Sequence, residues 1–194
     1  MWLVRPESTA KRVMRQEGQS TTETVLFTIG HSTRPIEEFL ALLEAHGIRR
    51  VVDVRTVPRS RRNPQFGIDV LPENLAGAGI DYAHMPSLGG LRRPRGDSAN
   101  TGWRNASFRS YGDYMQTPEF EQALEELVVL AREQSTAVMC AEAVPWRCHR
   151  SLIADALTIR GVTVKHIMSP TSAQPHRMTP FARVDGTRIS YPAS

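Results

Sequence analysis

Short β-prone apolar runs alternate with stretches of helical spacing along most of the chain. Val25 to Ile29, Val51 to Val54, Ile80 to Ala83, Ala137 to Cys140 and Val162 to Ile167 read as five buried strands. Between the first two, Ile36, Phe39, Leu40 and Leu43 recur at helical spacing up to Gly47. Leu71 to Ala78 makes a short helix closed by Gly79. Thr117 and Pro118 supply a cap and a first-turn proline for a longer helix whose inner face is Phe120, Leu124, Leu127 and Val128. Leu152, Ile153, Ala156 and Leu157 carry a further helix to a stop at Gly161.

Parallel strands need crossover connections, so this alternation predicts an α/β single domain: a mostly parallel sheet of about five strands with helices on both faces. The domain is expected over 24–168. Residues 1–23, polar and without clear periodicity, read as an N-terminal extension. Residues 169–194, with Pro170, Pro175, Pro180 and Pro192 among Ser and Thr, read as a Pro/Ser-rich C-terminal tail.

In parallel sheets ligands bind at the carboxyl ends of the strands. The residues leaving the five strands therefore form one predicted rim: Gly30, His31 and Ser32; Arg55, Pro58 and Ser60; His84, Gly89 and Gly90; Cys140 and Glu142; and His166. Its richest part is CAEAVPWRCHR, Cys140 to Arg150, which places two thiols, a carboxylate, an imidazole and two guanidiniums in one strand-to-helix turn. At a helix N-terminus the unpaired N–H groups and the dipole favour anions and thiolates. Cys148, nearer the helix start and beside Arg147, His149 and Arg150, suits a nucleophile better than Cys140, which also reads as a small buried residue closing its strand. Six residues separate Cys140 from Arg147, which departs from the Cys-x5-Arg phosphate cradle of phosphatases and rhodaneses.

His31 and Glu142 are the acid–base candidates. Arg55 and Arg150, with Ser32 and His149, are the anion-binding candidates, although either arginine can instead neutralise Asp53 or Glu142. Asp53 inside its strand needs partners to be buried, and is expected to fix His31 or an arginine. Gly89 and Gly90 permit a tight turn or a close backbone approach. Cys140, Glu142, Cys148 and His149, with His31 or His84, are also legitimate zinc or iron ligands, but no Cys-x-x-Cys pair marks a standard site. Neither GxGxxG nor a Walker sequence is present, so a nucleotide cofactor is not supported.

The chain has 194 residues, 40% of them hydrophobic, enough for one core. Its two cysteines do not form a secreted disulfide framework, and no apolar run is long enough to span a membrane, so a cytoplasmic protein with reduced thiols and no membrane partner is expected. The net charge of +4 is carried almost wholly by arginine, with lysine only at Lys11 and Lys165. Two long connections concentrate it. Arg55 to Phe66 contains Arg59, Arg61 and Arg62; Pro86 to Tyr114 mixes Arg92, Arg93, Arg95, Arg104 and Arg109 with Trp103, Phe108, Tyr111 and Tyr114. Basic and aromatic residues so interleaved can clamp a phosphate backbone and stack bases, with Arg92, Arg93, Arg104 and Trp103 as the candidate contacts.

The ordered set ThrIleGlyHisSer at 28–32, AspValArg at 53–55 with Pro58 and Ser60, Tyr82, His84 and Pro86 with LeuGlyGly at 88–90, and CysAlaGlu and CysHisArg at 140–142 and 148–150 resembles the domain of unknown function 488 family over about residues 25–167. The resemblance implies an α/β fold and a shared site, and supplies no reaction. Three functions stay open from the residues. The leading one is an enzyme acting on a phosphorylated or nucleic-acid-derived substrate at the rim. The others are a non-catalytic nucleic-acid-binding module and a metal- or redox-dependent protein using the two cysteines.

Overall fold

A computed structural model describes residues 23–193, so the expectation for the N-terminal extension at 1–22 lies outside the described residues. The five strands form as expected: β1 (Val25–Gly30), β2 (Arg50–Asp53), β3 (Asp81–His84), β4 (Thr136–Cys140) and β5 (Thr163–Ser169). They are joined by α1 (Ile36–Ala45), α2 (Leu71–Gly77), α3 (Ala106–Tyr114), α4 (Pro118–Glu133) and α5 (Arg150–Thr158). Thr117 caps α4 by accepting the Phe120 N–H, with Pro118 in the first turn. Among the described residues no helix is long and apolar enough to cross a membrane.

The sheet has six strands in the order β3-β2-β4-β1-β5-β6, the first five parallel. The sixth, β6 (Ser172–Pro175), is antiparallel to β5 and comes from the segment expected to be a tail. That segment also forms a hairpin of β7 (Arg183–Asp185) and β8 (Arg188–Ser190) and buries Ile189 and Tyr191. The tail reading therefore gives way. Its prolines suppress helical periodicity, and the strands between them are too short to register as a pattern. The connection from Pro86 to Tyr114 is likewise not all loop, since α3 occupies its last nine residues and buries Tyr111.

Alternation along the strands splits the core between the two faces of the sheet. Ile29, Val51, Ala137, Met139 and Ile167 pack with Phe39, Leu43, Leu71 and Leu75 of α1 and α2. Leu26, Val52, Val138, Cys140 and Val164 pack with Tyr111, Leu124, Leu127, Leu152 and Ile153 of α3, α4 and α5. The chain leaves β1 across one face through α1 and leaves the neighbouring β4 across the other through α5. Adjacent strands whose connections part in this way open a crevice at their carboxyl ends. The most chemically dense turn of the sequence lies there.

Candidate active site

Main-chain bonds hold the crevice's edges together, with His31 N–H donating to the Cys140 carbonyl (3.0 Å) and Ser32 N–H to that of Ala141 (2.9 Å). Ser32 adopts the left-handed conformation, φ 53°, to make this turn. A Cβ at Gly30 would overlap the Glu142 carbonyl, so only glycine allows β1 to end so close to the cysteine turn. A cleft of about 850 Å³ opens above. His31, Ser32 and Arg55 line one side, Cys140, Cys148 and His149 the other, and Arg59 and Arg147 lie at its margin.

The first wall is a closed polar network. Asp53, fully buried, accepts from Arg55 N–H (3.0 Å), Nε (2.9 Å) and Nη2 (2.6 Å), and from the Tyr82 hydroxyl (2.9 Å). Arg55 Nη2 also donates to the Phe66 carbonyl, and its own carbonyl accepts from His84 Nε2. Burial, helped by the Asp53 charge, pushes the Tyr82 hydroxyl up. Arg55 is thus largely committed to Asp53, the neutralising alternative weighed from the sequence, while still bordering the cleft.

His31 belongs to the same network. Its Nδ1 lies 2.8 Å from the Ser32 carbonyl and must carry the proton, which leaves Nε2 to accept from Arg55 Nη1 at 3.2 Å. The ring stacks on Phe66 at 4.2 Å. Burial is the main reason its pKa falls to about 4, with the Arg55 charge acting in the same direction. With both nitrogens occupied, His31 holds the wall and has no free position for a substrate proton. His84 commits its Nε2 to the Arg55 carbonyl at 2.9 Å.

The opposite wall carries the thiols. The period-two alternation of β4 turns Cys140 toward α5, where the short 3-10 turn Pro145–Arg147 delivers Cys148. Both cysteines are free and buried, and the ligating atoms of Cys140, Cys148 and His149 all lie within 4.8 Å of one another. His149 Nδ1 lies 3.7 Å from Cys148 Sγ, with the Cys140 thiol beside it. The neighbouring Cys140 thiol and His149 outweigh burial and hold the Cys148 thiol well below the ordinary range, with Arg150 adding to the effect. The neighbouring Cys148 thiol, together with burial, raises Cys140, so the two titrate as a pair. A Cβ at Gly90 would press on the His149 ring 2.6 Å from Nδ1, so this glycine lets the imidazole lie against the thiol.

Arg150 is not at the cleft surface. It is 1% exposed, donates to Thr28 Oγ1 (3.2 Å) and to the Glu142 carbonyl (2.5 Å), and pairs with no carboxylate among the described residues. The expected Arg150–Glu142 ion pair is therefore corrected: the guanidinium reaches the main chain of Glu142, while its carboxylate is exposed at the cleft and unpaired among the described residues. Gly89 lies under the turn, its carbonyl held by Arg92 Nε.

The proposed nucleic-acid contacts separate. Arg92 is tied to the Gly89 and Ser87 carbonyls and stacked 3.4 Å over Tyr114, and Trp103 packs against Phe108, Phe181 and Tyr191. Arg93 and Arg104 are exposed. Sequence reasoning missed a second buried network, in which Arg150, Thr28, His166, His176 and Asp155 follow one another in hydrogen-bonding order. Its signal was Asp155 itself, an acid inside the apolar stripe Leu152, Ile153, Ala156 and Leu157.

The three sulfur and nitrogen atoms fit a thiophilic metal in spacing, since a tetrahedral zinc with one thiolate and one imidazole spans about 3.5 Å between them. Ligation through Nδ1, however, would put the imidazole proton on Nε2, which is buried with no partner. With the proton on Nδ1 and directed at the thiolate, Nε2 is only an idle acceptor. The geometry favours the metal-free thiolate.

A family model for domain of unknown function DUF488 matches residues 35–157. No curated protein and no solved structure matches the chain.

Proposed function

The chain belongs to the family of domain of unknown function 488, and from its cleft we propose an enzyme that uses the Cys148 thiolate as a nucleophile on an anionic substrate. The observation that carries this reading is the place of the Cys148 sulfur, with His149 Nδ1 3.7 Å away and Cys140 beside it, in the wall of a cleft bordered by Arg59 and Arg147. Neither arginine enters an ion pair among the described residues, so both are available to draw an anion inward. The N-terminus of α5, just beyond Cys148, adds its positive end. Of the two acid–base candidates, Glu142 keeps that role, because its carboxylate faces the cleft without a partner. His31 instead positions Arg55.

Two measurements test the proposal. Thiolate absorbance titrated in the wild type and in Cys148→Ser should show a group ionising below the ordinary cysteine value of about 8.5, absent from the variant. A panel of anionic phosphoesters, thioesters and disulfides should contain one that the wild type consumes and Cys148→Ser does not. An ordinary titration for Cys148, or turnover that survives its loss, refutes the proposal.

A further inference from the structure

Resting on Cys148 as the nucleophile, we propose that Cys140 is its resolving partner and that the substrate is an anionic organic disulfide, reduced at the expense of a Cys140–Cys148 bond. The two residues are the chain's only cysteines, and their sulfurs lie within 4.8 Å. A disulfide needs about 2.05 Å, a closure that side-chain rotation of two neighbouring thiols can approach. Both also line the cleft, so a substrate bound to one meets the other.

The chemistry of a second thiol narrows the substrate. An acyl or phosphoryl group on Cys148 would be released by water, and transfer to Cys140 would gain nothing. A sulfur on Cys148 is different, because a neighbouring thiol can displace it and leave a disulfide behind. Position sets the order of events: Cys148, with His149 Nδ1 3.7 Å from its sulfur and the N-terminus of α5 just beyond it, is the thiol placed to attack, and Cys140 at the end of β4 follows.

The Cys148 thiolate attacks one sulfur of R–S–S–R, forming Cys148–S–S–R and expelling RS⁻. Cys140 attacks the Cys148 sulfur, the S–S bond to R breaks, and the Cys140 proton departs with the second fragment as RSH. The dithiol monoanion and one disulfide thus become a protein disulfide, one RS⁻ and one RSH, with two electrons passing from protein to substrate. A small thiol or dithiol reductant returns the pair to its starting state. Arg59 and Arg147 at the margin favour R groups that carry carboxylates.

Oxidised glutathione, which carries carboxylates, and cystamine, which carries amines, serve as probes, with peptide mapping of the cysteines by mass spectrometry. The wild type should accumulate the Cys140–Cys148 disulfide, and Cys140→Ser should stop at a mixed disulfide on Cys148. Oxidised glutathione should react roughly tenfold faster than cystamine at low ionic strength. If the wild type retains the mixed disulfide with Cys140 free, Cys140 only polarises Cys148 and the inference falls, while the thiolate titration still stands. Equal or faster reaction with cystamine overturns the anionic substrate class. Stoichiometric zinc occupying both thiols in the purified protein overturns the redox pair. Mapping the unmodified wild type requires no variant to fold.

Discussion

Replacing Asp155 with Ala should release the C-terminal segment from the sheet, because one fully buried carboxylate holds that segment at three residues. Asp155 Oδ1 accepts from His176 Nε2 at 2.8 Å and from Thr179 N–H at 3.0 Å. Oδ2 accepts from Thr179 Oγ1 at 2.7 Å and from the Tyr191 hydroxyl at 2.9 Å. The hydroxyls can rotate toward other acceptors, but the main-chain N–H and the imidazole N–H cannot. Two fixed buried donors left unpaired at about 1–3 kcal/mol each, with a smaller contribution from the hydroxyls, give a loss of about 4 kcal/mol. Such a loss is a large share of the roughly 5–15 kcal/mol that stabilises a domain. Asp155→Asn keeps the volume and one carbonyl oxygen, and should cost about 1–2 kcal/mol. Urea unfolding followed by circular dichroism measures both changes. Trypsin adds a local readout: Arg177 and Arg183 lie in the clamped segment and should be cut in Asp155→Ala under conditions where the rest of the chain resists. A loss under about 1 kcal/mol with the segment still protected would refute the clamp.

Acid should destabilise the fold before most carboxylates titrate. His31 and His166 are both lowered to about 4, chiefly by burial, so between the ordinary value of about 6.5 and 4 the unfolded chain takes up protons that the native state refuses. Stability therefore falls as pH drops through that window, by up to about 3 kcal/mol for each histidine. Urea midpoints at pH values between 7 and 4.5 measure the slope, which should flatten in His166→Gln; an unchanged slope removes His166 from the account. Arg150→Met should cost about 2–4 kcal/mol and move the Cys148 titration upward, because it removes the guanidinium and its bonds to Thr28 and Glu142. Thiolate absorbance reads the second effect, and an unshifted Cys148 would show that the charge does not reach the thiol.

The strands and the cysteine turn were legible because each depends on local pattern: apolar runs bounded by Gly, a Thr-Pro cap, and polar residues concentrated where a strand ends. What the pattern could not show was which side of the sheet each rim residue serves. Asp53 and His31 turn to the α1 and α2 side and Cys140 to the other, so the predicted single cluster divides into a closed ion-pair wall and an open thiol wall. The C-terminal strands escaped notice for a different reason. Their pairing is fixed by distant partners, β6 by β5 and Tyr191 by Asp155, and strands of three or four residues carry too little periodicity to reveal it.

Arg150 shows how one residue type can satisfy a sequence expectation in an unexpected way. As an anion-binding candidate it should face the cleft, yet it is buried, without a carboxylate among the described residues, and its Nε has no partner. A buried guanidinium so placed is costly unless an anion lies near it. The neutral oxygens of Thr28 and Glu142 solvate it without balancing its charge. The shared negative charge of the Cys140–Cys148 pair can do so, and the influence of Arg150 lowers both thiols. The anion that Arg150 stabilises is then the protein's own thiolate, with the exposed Arg59 and Arg147 left to meet the substrate. On this arrangement oxidation of the pair to a disulfide removes the counter-charge from Arg150.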